Sequence, residues 1–268
     1  MIVSCHLYFD NDILISFLMI YHKKVNWVNQ KLTLPDFIGI GAQKAGTTWL
    51  FENLIAHPKI FMPYFKEVHY FNRISDVEGK IHQYSKYFKK AKSDQIVGEI
   101  TPAYSILAES RVREMKKIMP ELKLIFIMRN PIKRAFSHAM MDLTKKMKLP
   151  KKEIPPTQLF GHFESAQSRF RGDYLKVISL YERCFGKENI CIKFFEEIKE
   201  CPEQMMNDIY RFLGLEELSD FSQHQIHRVV RDGNNERMGD EYYSYLDALY
   251  RKDIEQIQKK YGSYSLNW

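Results

Sequence analysis

Lys44, Gly46, Thr47 and Thr48 fall within five residues of one another, inside the stretch F-I-G-I-G-A-Q-K-A-G-T-T-W-L from Phe37 to Leu50. An ammonium, a glycine and two hydroxyls at this spacing, between an apolar run and a helical pattern, suit the holding of an anion. Backbone N–H groups at a helix start have no intrahelical partner, and a lysine beside them adds a full charge. The same residues also fit an ordinary strand-to-helix turn with a solvated lysine. A metal-dependent nucleotide loop is not spelled out: G-x-x-x-x-G-K-[ST] puts the lysine after the second glycine, with a hydroxyl on Mg²⁺. Here Lys44 precedes Gly46, and Thr47 follows it.

Three further sets carry chemistry. Lys66, Glu67 and His69 lie in F-K-E-V-H-Y-F. Glu67 can take a proton from a hydroxyl, and His69 is the rival base. On a strand the two share a face; in a loop that guarantee lapses. The second set is Glu99-Ile100-Thr101-Pro102, and the third is Arg129, with Ser137 eight residues on. A guanidinium leaving a buried strand can grip a phosphate bidentately. Arg129 alone could equally be structural, and Ser137 alone reads as a helix-packing serine.

Each set sits at the end of an expected strand, or in the loop after one. Strands and helices alternate, which argues for an α/β fold with a largely parallel sheet. Ligands bind such sheets in the crevice beyond the strand carboxyl ends. Strands are expected at Phe37–Ile40, Gln95–Ile100, Leu122–Met128 and Ile190–Phe194, with Phe65–Phe71 a strand edge or a loop. Helices are expected at Trp49–Ala56, near His82–Phe88, and at Ser105–Met119, Ile132–Leu143, Gly172–Phe185, Pro202–Leu213 and Glu241–Tyr261. Lys145–Gln158, with three prolines and a basic cluster, reads as a loop or lid. His224–Met238 reads as a polar, Arg-rich loop.

The 268 residues suit one domain with a small appendage: an extension over 1–34, then a domain over 35–268. The formal net charge of +7 fits an anionic partner without naming it. Neither a long basic run nor zinc-type spacing argues for nucleic-acid binding. Cys5, Cys184, Cys191 and Cys201 form no C-x-x-C pair and read as free thiols of a reducing compartment. The apolar run Ile13–Tyr21 is short of the ~20 residues a membrane helix needs, and it lacks the positive start of a signal peptide. It reads as a docked or loose helix, or as an upstream extension with Met19 the true start; the expected location is a cytoplasm, in a bacterium.

Taken together, these motifs resemble those of sulfotransferases that use 3′-phosphoadenosine-5′-phosphosulfate (PAPS). K-A-G-T-T-W-L resembles the family's 5′-phosphosulfate loop, which assigns cofactor contacts to Lys44, Ala45, Gly46, Thr47, Thr48 and Trp49. R-N-P-I-K-R-A-F-S-H resembles its 3′-phosphate motif, with Arg129 and Ser137 at the matching positions. K-E-V-H-Y-F resembles the glycan-modifying, heparan sulfate-type branch, in which the glutamate matching Glu67 is the catalytic base. E-I-T-P-A-Y resembles that branch's E-K-T-P-A-Y, with Ile100 in place of lysine, and the run from Tyr245 to Trp268 resembles its last helix. Arg228, Arg231 and Gly233 lie where the family has a basic loop that closes over the cofactor; the solvated-loop reading stands beside it. The resemblance implies a P-loop-like three-layer α/β sandwich whose central, mainly parallel sheet is flanked by helices. It implies sulfuryl transfer from PAPS, leaving the desulfated product PAP, to a hydroxyl-bearing acceptor of carbohydrate type, without a metal. Lys44 would stabilise the leaving 5′-phosphate. The alternatives are a P-loop kinase or NTPase, and a non-catalytic PAP- or glycan-binding module.

Overall fold

The computed structural model describes residues 32–228 and 238–268. The chain divides into two compact units, Met1–Thr33 and Leu34–Trp268. Ile13–Tyr21, Met19 and Cys5 lie outside the described residues, as do Arg231 and Gly233.

Within Leu34–Trp268 five strands form one sheet: β1 (Phe37–Gly41), β2 (Ile60–Phe61), β3 (Ile96–Ile100), β4 (Lys123–Met128) and β5 (Ile190–Phe194). Their order is β2-β3-β1-β4-β5, and each adjacent pair is parallel. β1 and all but the first residue of β4 are fully buried, so these strands read as unbroken apolar runs instead of alternating ones. Gly39 pairs with Ile100 on one side and Ile125 on the other, which makes β1 the centre of the sheet. Gly98 must lack a side chain: a Cβ there would lie 2.0 Å from Cζ of Phe37, whose ring crosses the neighbouring strand.

The longer helices are α1 (Thr47–Leu54), α2 (Glu109–Ile118), α3 (Pro131–Met147), α4 (Pro156–Glu164), α5 (Ala166–Gly172), α6 (Tyr174–Phe185), α7 (Pro202–Leu213) and α8 (Asp240–Tyr261). The main core joins the sheet to α1, α2, α6 and α7 through residues such as Leu50, Met115, Phe126, Tyr181 and Ile209. A second cluster joins α3, α4 and α8 through Phe136, Leu143, Leu159, Phe163, Leu246 and Ile254.

Three stretches differ from the sequence expectation. Lys145–Gln158 is no lid. α3 runs on to Met147 and stops where Lys148 turns left-handed, and Pro156 opens α4 at its first position. Buried Ile154 and Leu159 draw this basic stretch onto the second cluster, where apolar anchoring outweighs the solvated lysines. Gly172–Phe185 is broken at Asp173, whose carboxylate accepts the N–H of Lys176 and starts α6. Pro102–Ile106 forms a separate short turn before α2, because Leu107 and Ala108 are extended. Phe65–Phe71, expected as a strand edge or a loop, is the loop, leading into a single helical turn at Tyr70–Arg73.

That loop is held by the end of β3. Glu99 is 1% exposed and accepts hydrogen bonds from Tyr84 Oη (2.5 Å), Thr101 Oγ1 (2.6 Å) and Tyr104 Oη (3.1 Å). It also accepts the N–H of Val68. On either side, Glu67 N donates to Ile100 O at 3.0 Å and His69 N to Thr101 Oγ1 at 3.4 Å. Burial raises the Glu99 pKa above its ordinary value, and these hydrogen bonds oppose the shift without cancelling it.

Glu99→Ala leaves buried hydroxyls without an acceptor and is expected to cost about 3 kcal/mol of unfolding free energy in urea titration. A carboxyl whose folded pKa is raised stabilises fully below its unfolded value and loses that contribution as pH rises through the folded one. Wild type should therefore lose ground to Glu99→Gln as pH rises above 4.5, the ordinary value for this group. An identical stability gap between the two proteins at about pH 4 and about pH 7 would refute ionisation against burial.

Candidate active site

Parallel strands bring all their carboxyl ends to one edge, and β3, β1 and β4 are neighbours. The loops that follow β1 and β4, and the loop docked on β3, therefore converge. After β1 the chain turns through Lys44, whose φ is 71°, into Gly46, whose φ is 84°. A Cβ on Gly46 would meet Ile198 Cδ1 at 2.3 Å, so both the backbone angle and the space demand glycine. No side chain caps α1 at Gly46, which leaves its first-turn N–H groups to an outside acceptor.

Ala45 is fully buried and its N–H bonds to Ala42 O at 3.2 Å. Thr47 is buried and Thr48 half-buried. The Trp49 indole is buried and donates to Ile226 O at 2.9 Å. Trp49 thus turns its ring into the protein, where it ties α1 to the stretch that carries Arg228. Arg228 is exposed and bonds to Gln225 Oε1 at 3.3 Å.

β4 hands over to α3 through Arg129-Asn130-Pro131. Asn130 Oδ1 caps α3 by accepting from Ile132 N (2.9 Å) and Lys133 N (3.2 Å), and Pro131 opens the helix. Arg129 is fixed between these elements. Its Nη1 donates to Lys44 O at 2.8 Å, its guanidinium lies 4.5 Å from the Phe195 ring centroid, and its own carbonyl accepts Tyr174 Oη at 2.7 Å. Burial pushes the Tyr174 phenol well above its ordinary pKa, keeping it a neutral donor. Ser137 is buried on α3, one turn before Met141, whose sulfur lies 3.8 Å from Lys44 Nζ. The Ser137–Met141 face of α3 is therefore the one turned towards the Lys44 loop.

Glu67 and His69 meet although they occupy a loop. Lys66 Nζ donates to Glu67 Oε1 at 2.7 Å, and His69 Nε2 lies 3.3 Å from Glu67 Oε2. The other His69 ring nitrogen is 3.2 Å from Asn72 Oδ1. Backbone reversal does here what strand alternation would otherwise do: φ is 71° at Glu67 and 59° at His69. Lys44, Glu67, His69 and Lys148 are the non-glycine residues with positive φ among the described residues, and the first three are candidate site residues. Such strained backbone concentrates where function holds it. Ile100 is fully buried in β3 and contributes only its carbonyl, to Glu67 N.

Sequence reasoning missed a polar cluster in which Arg134, His138 and Arg171 are buried and Asp142 and His162 half-buried: Arg134, His138 and Asp142 on α3, His162 on α4, and Arg171 on α5. His138 Nε2 and His162 Nε2 lie 3.1 and 3.3 Å from Asp142 Oδ2. Burial pushes the Asp142 carboxyl up, but the hydrogen bonds from the two histidines prevail and hold it well below its ordinary value. The available signal was the i, i+4, i+8 spacing of Arg134, His138 and Asp142, which puts the three on one face of α3.

The sulfotransferase domain family matches residues 34–254. Human heparan sulfate glucosamine 3-O-sulfotransferase 6 is 28% identical over 183 residues, covering 68% of this chain and 52% of that protein. The chain spans about half or less of the length of the curated relatives it matches. A sulfotransferase from Alicyclobacillus acidocaldarius superposes with a TM-score of 0.65 at 26% identity, over 85% of this chain and 96% of that one. A mouse sulfotransferase complexed with PAP superposes with a TM-score of 0.53 at 17% identity, over 85% and 89% of the two chains, and shares the fold. By its sequence match and its parallel sheet with flanking helices, the chain belongs to the sulfotransferase domain family.

Proposed function

We propose that this protein transfers a sulfuryl group from PAPS to a hydroxyl of a carbohydrate acceptor. One contact carries the reading: Arg129 Nη1 bonds to the carbonyl of Lys44, joining two anion-binding stretches into a single pocket. A ligand with phosphates at two separated ends fits such a pair. Lys44 and the N–H groups of Gly46, Thr47 and Thr48 suit the 5′-phosphosulfate, with Ala45 and Trp49 contributing backbone. Arg129 and Ser137 suit the 3′-phosphate, and Arg231 and Gly233 fall in the stretch that would close over it. When bound, PAPS supplies the sulfuryl group and a phosphate leaving group.

The protein's own part is charge and proton handling. Lys44 and the α1 N–H groups offset negative charge as it develops at the 5′-phosphate. Glu67 takes the acceptor's hydroxyl proton, because an alcohol does not ionise near neutrality. Lys66 and His69 hold that carboxylate in position, and His69 lies within reach to accept the proton in turn. The scheme uses no divalent metal. A kinase reading lacks support from the loop order, and β4 ends in Arg129 where a metal-binding acid would be needed. The carbohydrate acceptor is supported by the heparan sulfate sulfotransferases among the relatives.

Glu67→Gln should lower transfer of labelled sulfate from PAPS by about a hundredfold or more while PAP affinity stays unchanged. Full transfer by this variant would move the base assignment elsewhere, His69 first. Arg129→Ala should weaken PAP binding by about 2 kcal/mol, roughly thirtyfold, in calorimetry. Unaltered PAP affinity would remove Arg129 from the 3′-phosphate site.

A further inference from the structure

Two histidines meet one carboxylate oxygen where α3 packs on α4. His138 Nε2 lies 3.1 Å and His162 Nε2 3.3 Å from Oδ2 of Asp142. The imidazole centroids are 4.8 Å apart, with the rings at 76° to each other. Each residue offers one ligand atom, and the three atoms lie within 4.8 Å of one another. Among the described residues no other group of His, Cys, Asp or Glu converges in this way. His138 and Asp142 are four residues apart on α3, so helix geometry presents them on one face. His162 comes from the last turn of α4, across the stretch 148–155.

These separations suit a coordination sphere. Ligand atoms about 2.1 Å from a tetrahedral metal lie roughly 3.4 Å from one another. The two pairs that include Asp142, at 3.1 and 3.3 Å, already have nearly that spacing. The third pair, within 4.8 Å, has to close by ring movement. Nδ1 of each ring is shut off from solvent without a partner among the described residues. A histidine's tautomer is set by the bond its other nitrogen makes, and here nothing sets it, so either Nε2 can give up its proton and ligate. The Asp142 side chain is 39% exposed, which gives an ion a way in and water a fourth position. Buried Arg134 and Arg171 add positive charge nearby, and Arg134 commits its Nη2 to Ser168 O at 3.0 Å. That charge disfavours a hard cation held by Coulomb attraction alone. It weighs less on a transition metal bound through imidazole nitrogen.

We infer that His138, Asp142 and His162 form a structural site for a divalent transition-metal ion of the zinc type, which clasps α3 to α4. The ion takes no part in the transfer chemistry, and the inference does not depend on the sulfuryl-transfer reading. His138 directly follows Ser137, so the clasp steadies the helix that carries this candidate phosphate contact.

The test uses the full chain, stripped with a chelator and titrated with zinc chloride against a chromophoric competitor. Wild type should take up one Zn²⁺ per chain. At free metal about a hundredfold above the dissociation constant, its melting temperature should rise by about 5 °C or more. Mg²⁺, which prefers oxygen ligands, should produce no rise. His162→Gln should weaken Zn²⁺ binding by about a hundredfold or more, beyond the loss of an outer-shell partner. So should Asp142→Asn, which keeps an oxygen acceptor for both rings and removes the anionic ligand. Co²⁺ in place of Zn²⁺ should give the visible absorption of a four- or five-coordinate ion, without sulfur charge-transfer bands.

No stoichiometric uptake by wild type overturns the site, and uptake without a rise in melting temperature overturns the clasp. Zn²⁺ affinity that survives in either variant overturns the three-residue ligand set. A sulfur charge-transfer band moves the ion to a cysteine, and an equal rise with Mg²⁺ refutes ligation by imidazole. Should one variant fail to fold, the other variant and the wild-type cobalt spectrum still decide.

Discussion

The burial of Glu99 is the constraint on which the site depends. A carboxyl at 1% exposure survives only because Tyr84, Thr101, Tyr104 and the Val68 amide all donate to it. Those bonds do more than satisfy Glu99. They anchor the loop on either side of Val68, and that loop carries Glu67 and His69 in left-handed backbone. Ring packing reinforces the anchor: Tyr84 stacks on Tyr70, and Phe71 meets both Tyr84 and Tyr104 edge-on. Strain at the two candidate bases is thus offset by a rigid aromatic and hydroxyl network beneath them.

The β1–α1 loop and the β4–α3 junction are organised by a different set of contacts. Arg129 reaches back to a main-chain carbonyl of the β1 loop, so the β1–α1 loop and the β4–α3 junction are held together. Asn130 and Pro131 start α3 immediately after Arg129, which directs Ser137 and Met141 to the Lys44 side. Gly46, pressed against Ile198, lets α1 begin with its N–H groups uncapped. Preorganisation of this kind lowers the reorganisation needed when charge develops.

The second apolar cluster gathers polar groups as well as apolar ones. Packing of α3 against α4 and α8 buries the faces of Phe136, Leu159 and Leu246, and it takes Arg134 and His138 out of water with them. α5 follows directly and brings in Arg171. Apolar packing thereby forces polar groups into a low-dielectric place where their mutual electrostatics are strong.

The sequence by itself determined the parallel α/β architecture, because apolar strands, unbroken at β1 and along most of β4, alternate with amphipathic helices. It marked the candidate phosphate-loop residues as well, since Lys44, Gly46, Thr47, Arg129 and Ser137 belong to local motifs of fixed spacing. Glu67 was legible through its neighbours Lys66 and His69. The contact between Glu67 and His69 was not, because it depends on two backbone reversals that no periodicity encodes. The split at Asp173, and the helical course of Lys145–Gln158, followed from which apolar residues found the second cluster. Glu99 read as one more site acid, yet tertiary contacts from four separate positions turned it into the anchor of the base loop. Arg134 and Arg171 are far apart in sequence, and only the packing of α3 against α5 gave their charges a common location. Local motifs fix which groups are available for chemistry; burial and long-range packing decide which of those groups face one another without water between them.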